Sequence, residues 1–220
     1  MTAGAGPFLD LIGERAAAAL VEGAVVRRWP SGSVLFHEGD RADRVLLVQS
    51  GRVKLVATEV NGTETVLAVR SPGELVGEIA AIDDRPRSAT AVAMGAVSCL
   101  VVPATQFRAV VQASSDAAMA LLRVFAFRLR EAEGRRAEYG ALDATARLAR
   151  RLLELAGSDA GAPTPITGLS QDDLAALIGS SREAVAKSLA TLRTAGLVNT
   201  GRRSIELLDV VGLRRRAAGG

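Results

Sequence analysis

The sequence predicts an α+β fold in which a domain of short strands precedes a long helix and a second, helical domain. Before residue 115, short valine-rich runs alternate with glycine-containing turns, which is typical of a barrel or sandwich of the jelly-roll kind. From residue 116 onward, apolar residues recur at helical spacing. The 220 residues are enough for one large domain or for two small domains that each bury a core.

Composition excludes several classes of protein. Apolar residues make up 49% and charged residues 23% of the chain, as in ordinary globular proteins. The single cysteine and histidine, Cys99 and His37, exclude a disulfide framework, a cysteine-ligated iron–sulfur cluster and a multi-histidine metal site. No apolar run reaches the roughly 18 residues of a membrane span, and residues 1–7 lack the features of a secretory signal. We expect a cytoplasmic protein with no metal and no membrane partner.

Charge is distributed unevenly along the chain. Residues 1–115 contain 11 Lys/Arg and 12 Asp/Glu, a net charge of −1, whereas residues 116–220 contain 16 and 12, a net charge of +4. This distribution indicates a first half that binds something small and a second half that contacts a polyanion.

The first half is predicted to begin with a helix over Phe8–Val21. Asn61-Gly62 is the strongest hairpin signal, because both residues tolerate the positive φ of a type I′ turn. We expect a β-roll domain over residues 1–115. Seven segments have the composition of its strands: Val25–Trp29, Val34–His37, Val45–Gln49, Val53–Thr58, Thr63–Val69, Ala89–Ala93 and Val97–Val102.

A long helix is predicted from Asp116 to about Tyr139. We expect residues 116–140 to pair two chains into a homodimer; the alternative is that this helix packs on its own domain. A second helix is predicted over Leu142–Ala156, before a Gly/Pro/Ser-rich connector over Gly157–Pro165. The pairing rests on a coiled-coil spacing of three and four residues at Leu122, Phe125, Leu129, Ala132, Arg136 and Tyr139.

Residues 170–195 have the pattern of a helix-turn-helix, inside a domain predicted over residues 141–220. A serine-capped helix ends at Ile178, Gly179 supplies the left-handed residue of the turn, and a second helix runs from Arg182 to Ala195. The apolar spacing predicts that Leu174, Ile178 and Val185 face a shared core. Ser188 departs from the motif, in which an aliphatic residue is usual. The alternative is a generic helical hairpin.

The second helix presents polar side chains from its first turns, which in such motifs enter the major groove of DNA. Arg182 can donate to guanine N7 and O6, Glu183 can accept from a cytosine amino group, and Lys187 can contact guanine or a phosphate. A predicted β-hairpin wing follows, with two arginines at its tip that suit phosphate contact, while Arg214-Arg215-Arg216 is interpreted as a solvated tail. The predicted DNA-binding residues are Ser181, Arg182, Glu183, Lys187, Arg202 and Arg203.

Residues 73–89 combine groups that suit an anion. Gly77 allows close approach of the backbone at the start of a very short helix, whose free N–H groups point at a negative charge. Glu78 can accept from a ribose hydroxyl, Arg87 can pair with a phosphate by two parallel bonds, and Ser88 adds a hydroxyl donor. The alternative is that Glu78 and Arg87 pair with each other, and the residues alone leave both open.

Gly77-Glu78-Ile79-Ala80 and Pro86-Arg87-Ser88-Ala89 resemble the phosphate-binding cassette of cyclic-nucleotide-binding domains. Together with the long helix and the helix-turn-helix, they make residues 20–210 resemble the Crp–Fnr family of bacterial transcription regulators. The resemblance implies a β-roll sensor, a long dimerisation helix and a winged helix-turn-helix, with ligand in the roll reorienting the DNA-binding domains. Residues 179–187 resemble the recognition helix of the cyclic-AMP receptor branch, which reads a TGTGA-type half-site, although Lys187 stands where that branch has arginine.

The resemblance also implies a ligand site. Glu78 would hold the ribose 2′-hydroxyl, Arg87 and Ser88 the cyclic phosphate, and Arg128 would approach the ligand from the long helix. Ala132-Glu133 departs from the Thr-Ser pair that contacts adenine across the dimer, and the Glu133 carboxylate matches the N1–H and N2–H₂ donors of guanine better. cAMP is favoured and cGMP is the alternative. The implied ligand-binding residues are Gly77, Glu78, Ile79, Ala80, Arg87, Ser88, Arg128, Ala132 and Glu133.

These inferences predict a homodimeric, DNA-binding transcription regulator controlled by a cyclic nucleotide. Its expected partners are a pseudo-palindromic double-stranded operator and RNA polymerase. The first alternative is the same architecture without nucleotide control or with another effector. The second is a cupin-like enzyme, which is disfavoured because a metal cupin needs several histidines and no nucleophile–base set is visible. We therefore expect no enzymatic activity.

Overall fold

A computed structural model describes residues 7–58, 64–157 and 165–219, without the side chains of Glu64, Arg136, Ala137 and Tyr139. The predicted Asn61-Gly62 turn and most of the predicted connector therefore fall outside the described residues. The chain forms two compact units. The first comprises the described residues up to Glu64 and from Ala68 to Glu133; the second comprises Thr65–Leu67 and the described residues from Gly134 onward.

The first unit is built on a six-stranded sheet, in the order β1-β6-β3-β4, with β2 paired to β6 and β5 to β3. The strand pairs with β6 and the pair β3–β5 are antiparallel. This sheet, followed by a long helix, confirms the predicted α+β class with an N-terminal β domain. By the division above, residues 65–67 of the fourth strand and residues 134–141 of the long helix belong to the second unit. The elements up to residue 141 are α1 (Phe8–Leu11), α2 (Glu14–Val21), β1 (Val25–Trp29), β2 (Val34–Phe36), β3 (Arg44–Thr58), β4 (Glu64–Arg70), β5 (Leu75–Val76), α3 (Glu78–Asp83), β6 (Thr90–Pro103), α4 (Ala104–Ala113) and α5 (Ser115–Ala141).

Four of the predicted strands are wrong in their boundaries, because they form two long strands. The segments on either side of Ser50-Gly51 belong to β3, and those on either side of Met94-Gly95 belong to β6. Gly51 and Gly95 do have positive φ, but the register between β3 and β6 shifts beside Gly51. The glycines therefore sit at an irregularity in paired strands rather than in hairpin turns, since a left-handed residue suits a bulge as well as a turn.

Helix boundaries in the first unit also differ from the prediction. The helix predicted over Phe8–Val21 is broken into α1 and α2, because Gly13 has a φ of 74° that a helix cannot contain. The helix α4 was not predicted; its Ala104, Phe107 and Val110 are buried in a core that also includes residues of β3, β6 and α5. The Cys99 thiol is buried in β6, and this burial raises its pKa to about 12.

The second unit surrounds a helix-turn-helix with a scaffold helix and a small antiparallel sheet. The helix α6 packs against α7, α8 and α9, and the strands lie in the order β7-β9-β8. Arg214-Arg215-Arg216 lies within a helix, α9, and not in a tail as predicted, although Arg214 and Arg215 are exposed to solvent. The elements are α6 (Ala144–Ala156), β7 (Ile166–Thr167), α7 (Gln171–Ile178), α8 (Arg182–Thr194), β8 (Val198–Gly201), β9 (Ser204–Leu207) and α9 (Val210–Ala217).

Among the described residues, no single helix has the length and apolar character needed to cross a membrane. By length and composition alone, one pair does, α4 taken with residues 115–135, and it is bent by 109°.

Candidate functional site

The segment that carries the predicted cassette starts at a glycine that no other residue can replace without strain. Gly77 has φ 81° and ψ 14°, the left-handed region, and it caps the six-residue helix α3. A Cβ atom added there would lie 3.1 Å from Cζ of Arg87 and 3.3 Å from the Phe36 ring. Gly77 therefore allows the chain to turn into α3, and its missing side chain leaves room for the guanidinium group of Arg87.

Arg87 occupies that room and is only 3% exposed. Its Nη1 donates to the backbone oxygen of Gly77 at 2.7 Å and its Nη2 to the backbone oxygen of Arg44 at 2.5 Å. The guanidinium carbon lies 4.4 Å from the centroid of the Phe36 ring, and Nε is buried without a hydrogen-bond partner. Burial lowers the pKa of Arg87 and the Asp43 carboxylate opposes this, so a buried cation lies directly beside the cassette backbone.

Glu78 is the buried anion of the same region, 2% exposed. It forms an ion pair with Nη1 of Arg128, which reaches it from α5. Nη2 of Arg128 also donates to the backbone oxygen of Leu75 at 3.0 Å. The alternative of a Glu78–Arg87 ion pair is not what the structure contains, because the ion pair of Arg87 is with Asp43 at 3.7 Å.

The remaining predicted ligand residues differ from one another in their exposure to solvent. Ala80 is buried, whereas Ile79 and Ser88, which also belong to the cassette, are exposed. Ala132 and Glu133 are exposed on α5, about one helical turn beyond Arg128. In the described part of this one chain, neither makes a hydrogen bond or ion pair with Glu78 or Arg87.

Arg70 is a site neighbour that sequence reasoning missed. It ends β4, its side chain is mostly buried, and its Nη1 lies 3.9 Å from Glu74. Burial lowers the pKa of Arg70, and the positive charge of Arg128 lowers it further, while Glu74 and Glu78 raise it. A lone arginine at the end of an apolar run, just before Ser71-Pro72-Gly73, is the signal that was available.

The helix-turn-helix is formed as its sequence predicts. Ser170 accepts from the Asp173 N–H at 3.0 Å while the Asp173 carboxylate accepts from the Ser170 N–H at 2.8 Å, which closes a capping box on α7. Gly179 ends α7 with φ 57° and ψ 53°. The expected core residues Leu174, Ile178 and Val185 are all buried.

Ser188 is buried on α8 although the motif usually has an aliphatic residue there. Its hydroxyl oxygen accepts a hydrogen bond from the Thr145 hydroxyl of α6 at 3.0 Å. This bond satisfies the polar group that burial would otherwise penalise. The departure from the motif is therefore matched by a partner in the scaffold helix.

The predicted DNA-binding residues lie on one exposed stretch of α8 and at the wing. Ser181 caps α8 by accepting from the Ala184 N–H at 3.2 Å. Arg182, Glu183 and Lys187 are exposed, and Arg182 lies 3.8 Å from Asp172 of α7. A backbone hydrogen bond lowers the pKa of Glu183, so it is an anion at neutral pH. Arg202 and Arg203 are exposed and form the turn between the paired residues Gly201 and Ser204.

Asp143 joins the scaffold helix to the C-terminal helix, and its replacement gives a pH-dependent prediction. Its side chain accepts from the Ala146 N–H at 2.7 Å and from Nη2 of Arg216 at 2.6 Å. The backbone bond, then the arginine, lowers the pKa of Asp143. Asp143→Ala should cost about 1 kcal/mol of stability at pH 7, the typical value of a lost N-cap.

The sign of the pH dependence follows from the lowered pKa. The ionised carboxylate of Asp143 contributes fully above its unfolded pKa of about 4, and the contribution is lost as the pH falls through the lower folded pKa. Asp143→Asn, which keeps a capping oxygen but removes the charge, is the control and should be milder. Urea unfolding at pH 7 and below pH 4 measures both; a cost of Asp143→Ala that is equal at the two pH values would contradict the assignment.

The long helix α5 has two different faces. Ala117, Ala120, Leu121 and Val124 are buried in the core of the first unit. The six residues with the predicted coiled-coil spacing form a seam along α5, and two of them, Leu122 and Leu129, are 59% and 61% exposed. Phe125, another residue of the seam, is partly buried against the core of the first unit. The side chains of Arg136 and Tyr139 lie outside the described residues. An apolar face therefore remains uncovered in the single chain.

The sequence matches two families in an order that fits this structure. Residues 26–114 match the cyclic nucleotide-binding domain, and residues 146–216 match the Crp-like helix-turn-helix domain. The chain is 32% identical, over 193 residues and 86% of both chains, to a CRP-like cAMP-activated global transcriptional regulator of Mycobacterium tuberculosis. The chain belongs to the Crp–Fnr family. It is a Crp-family transcription regulator with a cyclic nucleotide-binding domain and a helix-turn-helix, as the resemblance of its motifs predicted.

Two further proteins similar to this Crp–Fnr family member are named for the nucleotides to which they respond. It is 34% identical, over 88% of both chains, to a cyclic AMP receptor protein of Thermus thermophilus. Its fold is similar, with a TM-score of 0.68 and 25% identity over 89% of this chain and 99% of the other, to the c-di-GMP responsive global regulator CLP of Xanthomonas campestris. Similar chains are thus named for different effectors.

Proposed function

We propose that this Crp-family regulator is a homodimer that binds a cyclic nucleotide in its first unit and, in response, binds a specific DNA operator through α8. cAMP is the favoured nucleotide and cGMP the alternative. The proposed domains are the sensor over residues 1–115, the dimerisation helix over residues 116–140 and the winged helix-turn-helix over residues 141–220. We also propose that the protein acts in the cytoplasm, contacts RNA polymerase and has no enzymatic activity.

One observation carries the sensor proposal, namely the buried guanidinium of Arg87. Its two bonds go to backbone oxygens, and the ion pair it makes, with Asp43, spans 3.7 Å. Weak neutralisation of a buried cation favours an anionic ligand, because a buried charge is stable only when it is closely paired. A cyclic phosphate supplies one negative charge and paired oxygens suited to a guanidinium.

Glu78 and Arg128 would recognise the ribose. The carboxylate of Glu78 is held by Arg128, so its orientation is fixed before a ligand arrives, and its remaining lone pairs can accept from the 2′-hydroxyl. Arg128 connects the cassette to α5, so ligand contacts at Glu78 act directly on the dimerisation helix. Ser88, exposed beside Arg87, would add a hydroxyl to the phosphate. Gly77, Ile79 and Ala80 would supply backbone groups.

The base would be read at Ala132 and Glu133. Both are exposed in the single chain, which is the placement required if they contact the ligand of the partner chain. The cAMP-named relatives favour adenine, whereas the Glu133 carboxylate favours a base with adjacent N–H donors. We therefore propose cAMP as the favoured ligand and cGMP as the alternative.

Isothermal titration calorimetry tests the sensor proposal. Protein purified free of nucleotide is titrated separately with cAMP and cGMP, and we expect saturable binding of cAMP with one site per chain. A preference for cGMP would indicate that Glu133 recognises the base, and the proposal of a cyclic-nucleotide sensor would still stand. No heat with either nucleotide, from a folded protein that binds DNA, would overturn it in favour of the same architecture with another effector, for which the c-di-GMP responsive relative is a precedent.

The exposed face of α5 supports the dimer and gives a second prediction. Leu122→Glu puts a charge in the proposed seam, and we expect it to convert a dimer into a monomer in sedimentation-velocity measurements at micromolar concentration. Leu208→Glu is the matched control, because Leu208 is also exposed, at 57%, but lies outside α5. A dimer that persists in Leu122→Glu, or is lost equally in both variants, would contradict the seam.

A further inference from the structure

Arg70, the last residue of β4, carries its side chain on the buried face of that strand. Successive side chains of a strand point to opposite faces. Ala68, two residues earlier on the same face as Arg70, is buried, whereas Leu67 on the other face is 47% exposed. The Arg70 side chain itself is only 12% exposed. A guanidinium group therefore lies in the interior of the first unit.

The guanidinium group of Arg70 has weak partners for a buried cation. Its Nη1 donates to the backbone oxygen of Val69 over a long 3.4 Å and lies 3.9 Å from the Glu74 carboxylate. That carboxylate accepts at a shorter distance, 2.7 Å, from the Ser71 N–H. In the part of the chain that the structure describes, Nε of Arg70 is buried with no hydrogen-bond partner. A ligand that brings hydrogen-bond acceptors would therefore stabilise this side chain.

Arg70 and Arg87 contact opposite ends of the segment 74–78, which includes β5. Arg87 donates to the backbone oxygen of Gly77, whereas Arg70 lies beside Glu74. The ion pair proposed to hold the ribose joins this same segment to α5. The two buried arginines are therefore placed on either side of the ribose position.

The charges of the candidate site act on Arg70. Burial lowers the pKa of Arg70, the positive charge of Arg128 lowers it further, and the carboxylate of Glu78 is among the charges that raise it. Burial also lowers the pKa of Arg87, and the carboxylates of Asp43 and Glu78 raise it. Glu78 therefore lies within electrostatic reach of both buried arginines.

In a cyclic nucleotide, the ribose joins the phosphate to the base. With the phosphate at Arg87 and the ribose at Glu78, the part of the ligand left for Arg70 is the base. We propose that Arg70 recognises the base and, by donating to O6 and N7 of guanine, raises the affinity for cGMP relative to cAMP. This rests on the proposed function, and it assigns part of the discrimination between the two nucleotides to a residue of the β domain.

Guanine and adenine differ at the edge that an arginine would recognise. Guanine presents two acceptors, O6 and N7, and arginine can donate to both at once, whereas adenine presents N7 beside an N6–H₂ donor. The Glu133 carboxylate, by contrast, matches the N1–H and N2–H₂ donors on another edge of guanine. Arg70 and Glu133 can therefore contribute to recognition of the same base independently.

Isothermal titration calorimetry of Arg70→Met with cAMP and with cGMP tests the proposal. The ratio of the cGMP Kd to the cAMP Kd should rise by about 5- to 150-fold, the effect of one bidentate contact on base discrimination. Arg70→Lys keeps the charge but cannot form two parallel bonds, so it should give a smaller rise. An unchanged ratio would overturn the proposal, as would an equal loss of affinity for both nucleotides, which a purely structural role of Arg70 would produce.

Arg52→Met is the matched control. Arg52 is another partly buried arginine of the first unit whose Nε has no hydrogen-bond partner among the described residues, and burial lowers its pKa as well. It lies on β3, opposite Met94 of β6, and its replacement should leave the ratio of the two Kd values unchanged. Urea unfolding has to show that the variants are folded. A rise of equal size in Arg52→Met would overturn the assignment.

Ligand analogues add a readout on the unmodified protein. 7-deaza-cGMP lacks N7 and should bind the wild-type protein more weakly than cGMP, because one of the two bonds is lost. Equal affinity for 7-deaza-cGMP and cGMP would overturn the proposal. cIMP keeps O6 and N7 but lacks the 2-amino group that Glu133 would contact, so Arg70→Met should weaken binding of cIMP and of cGMP by the same factor.

The wild-type titrations separate this proposal from the proposed function. If the wild-type protein binds neither cAMP nor cGMP, the proposed function fails and the assignment of the base to Arg70 fails with it. If both nucleotides bind but their Kd ratio does not depend on Arg70, the sensor stands and only the role of Arg70 is rejected. Binding of cAMP without measurable binding of cGMP would also leave the sensor standing and reject recognition of guanine by Arg70.

Discussion

Arg87→Ala is expected to lower cyclic-nucleotide affinity by a factor of about 100 or more. The buried guanidinium would make two charge-assisted hydrogen bonds to the phosphate, each worth about 1.5–3 kcal/mol. Losing both corresponds to at least two orders of magnitude in Kd. Calorimetric titration with cAMP measures the effect directly, and DNA binding without nucleotide should be unchanged.

Arg87 also has a structural role, which the controls must separate from binding. Its removal leaves the backbone oxygens of Gly77 and Arg44 without these donors, so urea unfolding has to show that the variant is folded. Arg87→Lys keeps the charge but cannot form two parallel bonds, and we expect an intermediate loss. Arg85→Ala removes the same charge from an exposed position two residues away and should bind normally. A folded Arg87→Ala variant with unchanged affinity would contradict the cassette assignment.

Arg182→Ala is expected to cost about 1–3 kcal/mol in operator affinity, a five- to roughly 150-fold loss, and to relax specificity at one base step. Its side chain is 64% exposed and its nearest ion-pair partner, Asp172, is 3.8 Å away. The folded protein should therefore keep its stability, because exposed pairs contribute little. Competition binding with operators changed at single positions measures both effects.

Two other arginines serve as comparisons for Arg182. Arg193 is exposed on the last turn of the same helix, and Arg193→Ala should leave sequence preference unchanged. Arg202→Ala at the wing should weaken binding to all DNA sequences equally. It should also reduce the salt dependence of DNA affinity by an amount that corresponds to about one released counterion. If Arg182→Ala instead produces this uniform loss, Arg182 contacts a phosphate and the base assignment is wrong.

The helix-turn-helix could be predicted from sequence because its signals are local. Ser170, Gly179 and the spacing of Leu174 and Ile178 act within one or two helical turns, and the structure contains each of them as expected. Ser188 shows the limit of such reasoning. Its departure from the motif is explained by Thr145, which is 43 residues away in the chain, and no local pattern indicates that partner.

The wrong strand boundaries and the undecided contacts of the site have the same cause, because both depend on residues that are distant in the chain. A glycine such as Gly51 suits a turn and a bulge equally, so only its position opposite β6 decides between them. Chemistry predicted Glu78 and Arg87 as candidate ligand residues, but left open whether they pair. The answer depends on Arg128, which is 50 residues from Glu78, and on backbone oxygens whose direction sequence does not reveal.

The affinity of the protein for its operator, with and without nucleotide, tests the central claim most directly. Fluorescence anisotropy of a labelled duplex, selected in vitro from random DNA, is measured at one fixed salt concentration with nucleotide-free protein, then with saturating cAMP and with saturating cGMP. We expect cAMP to lower Kd by about 5- to 150-fold, the usual range of allosteric coupling. Equal affinity in all three conditions, from folded dimeric protein, would contradict it.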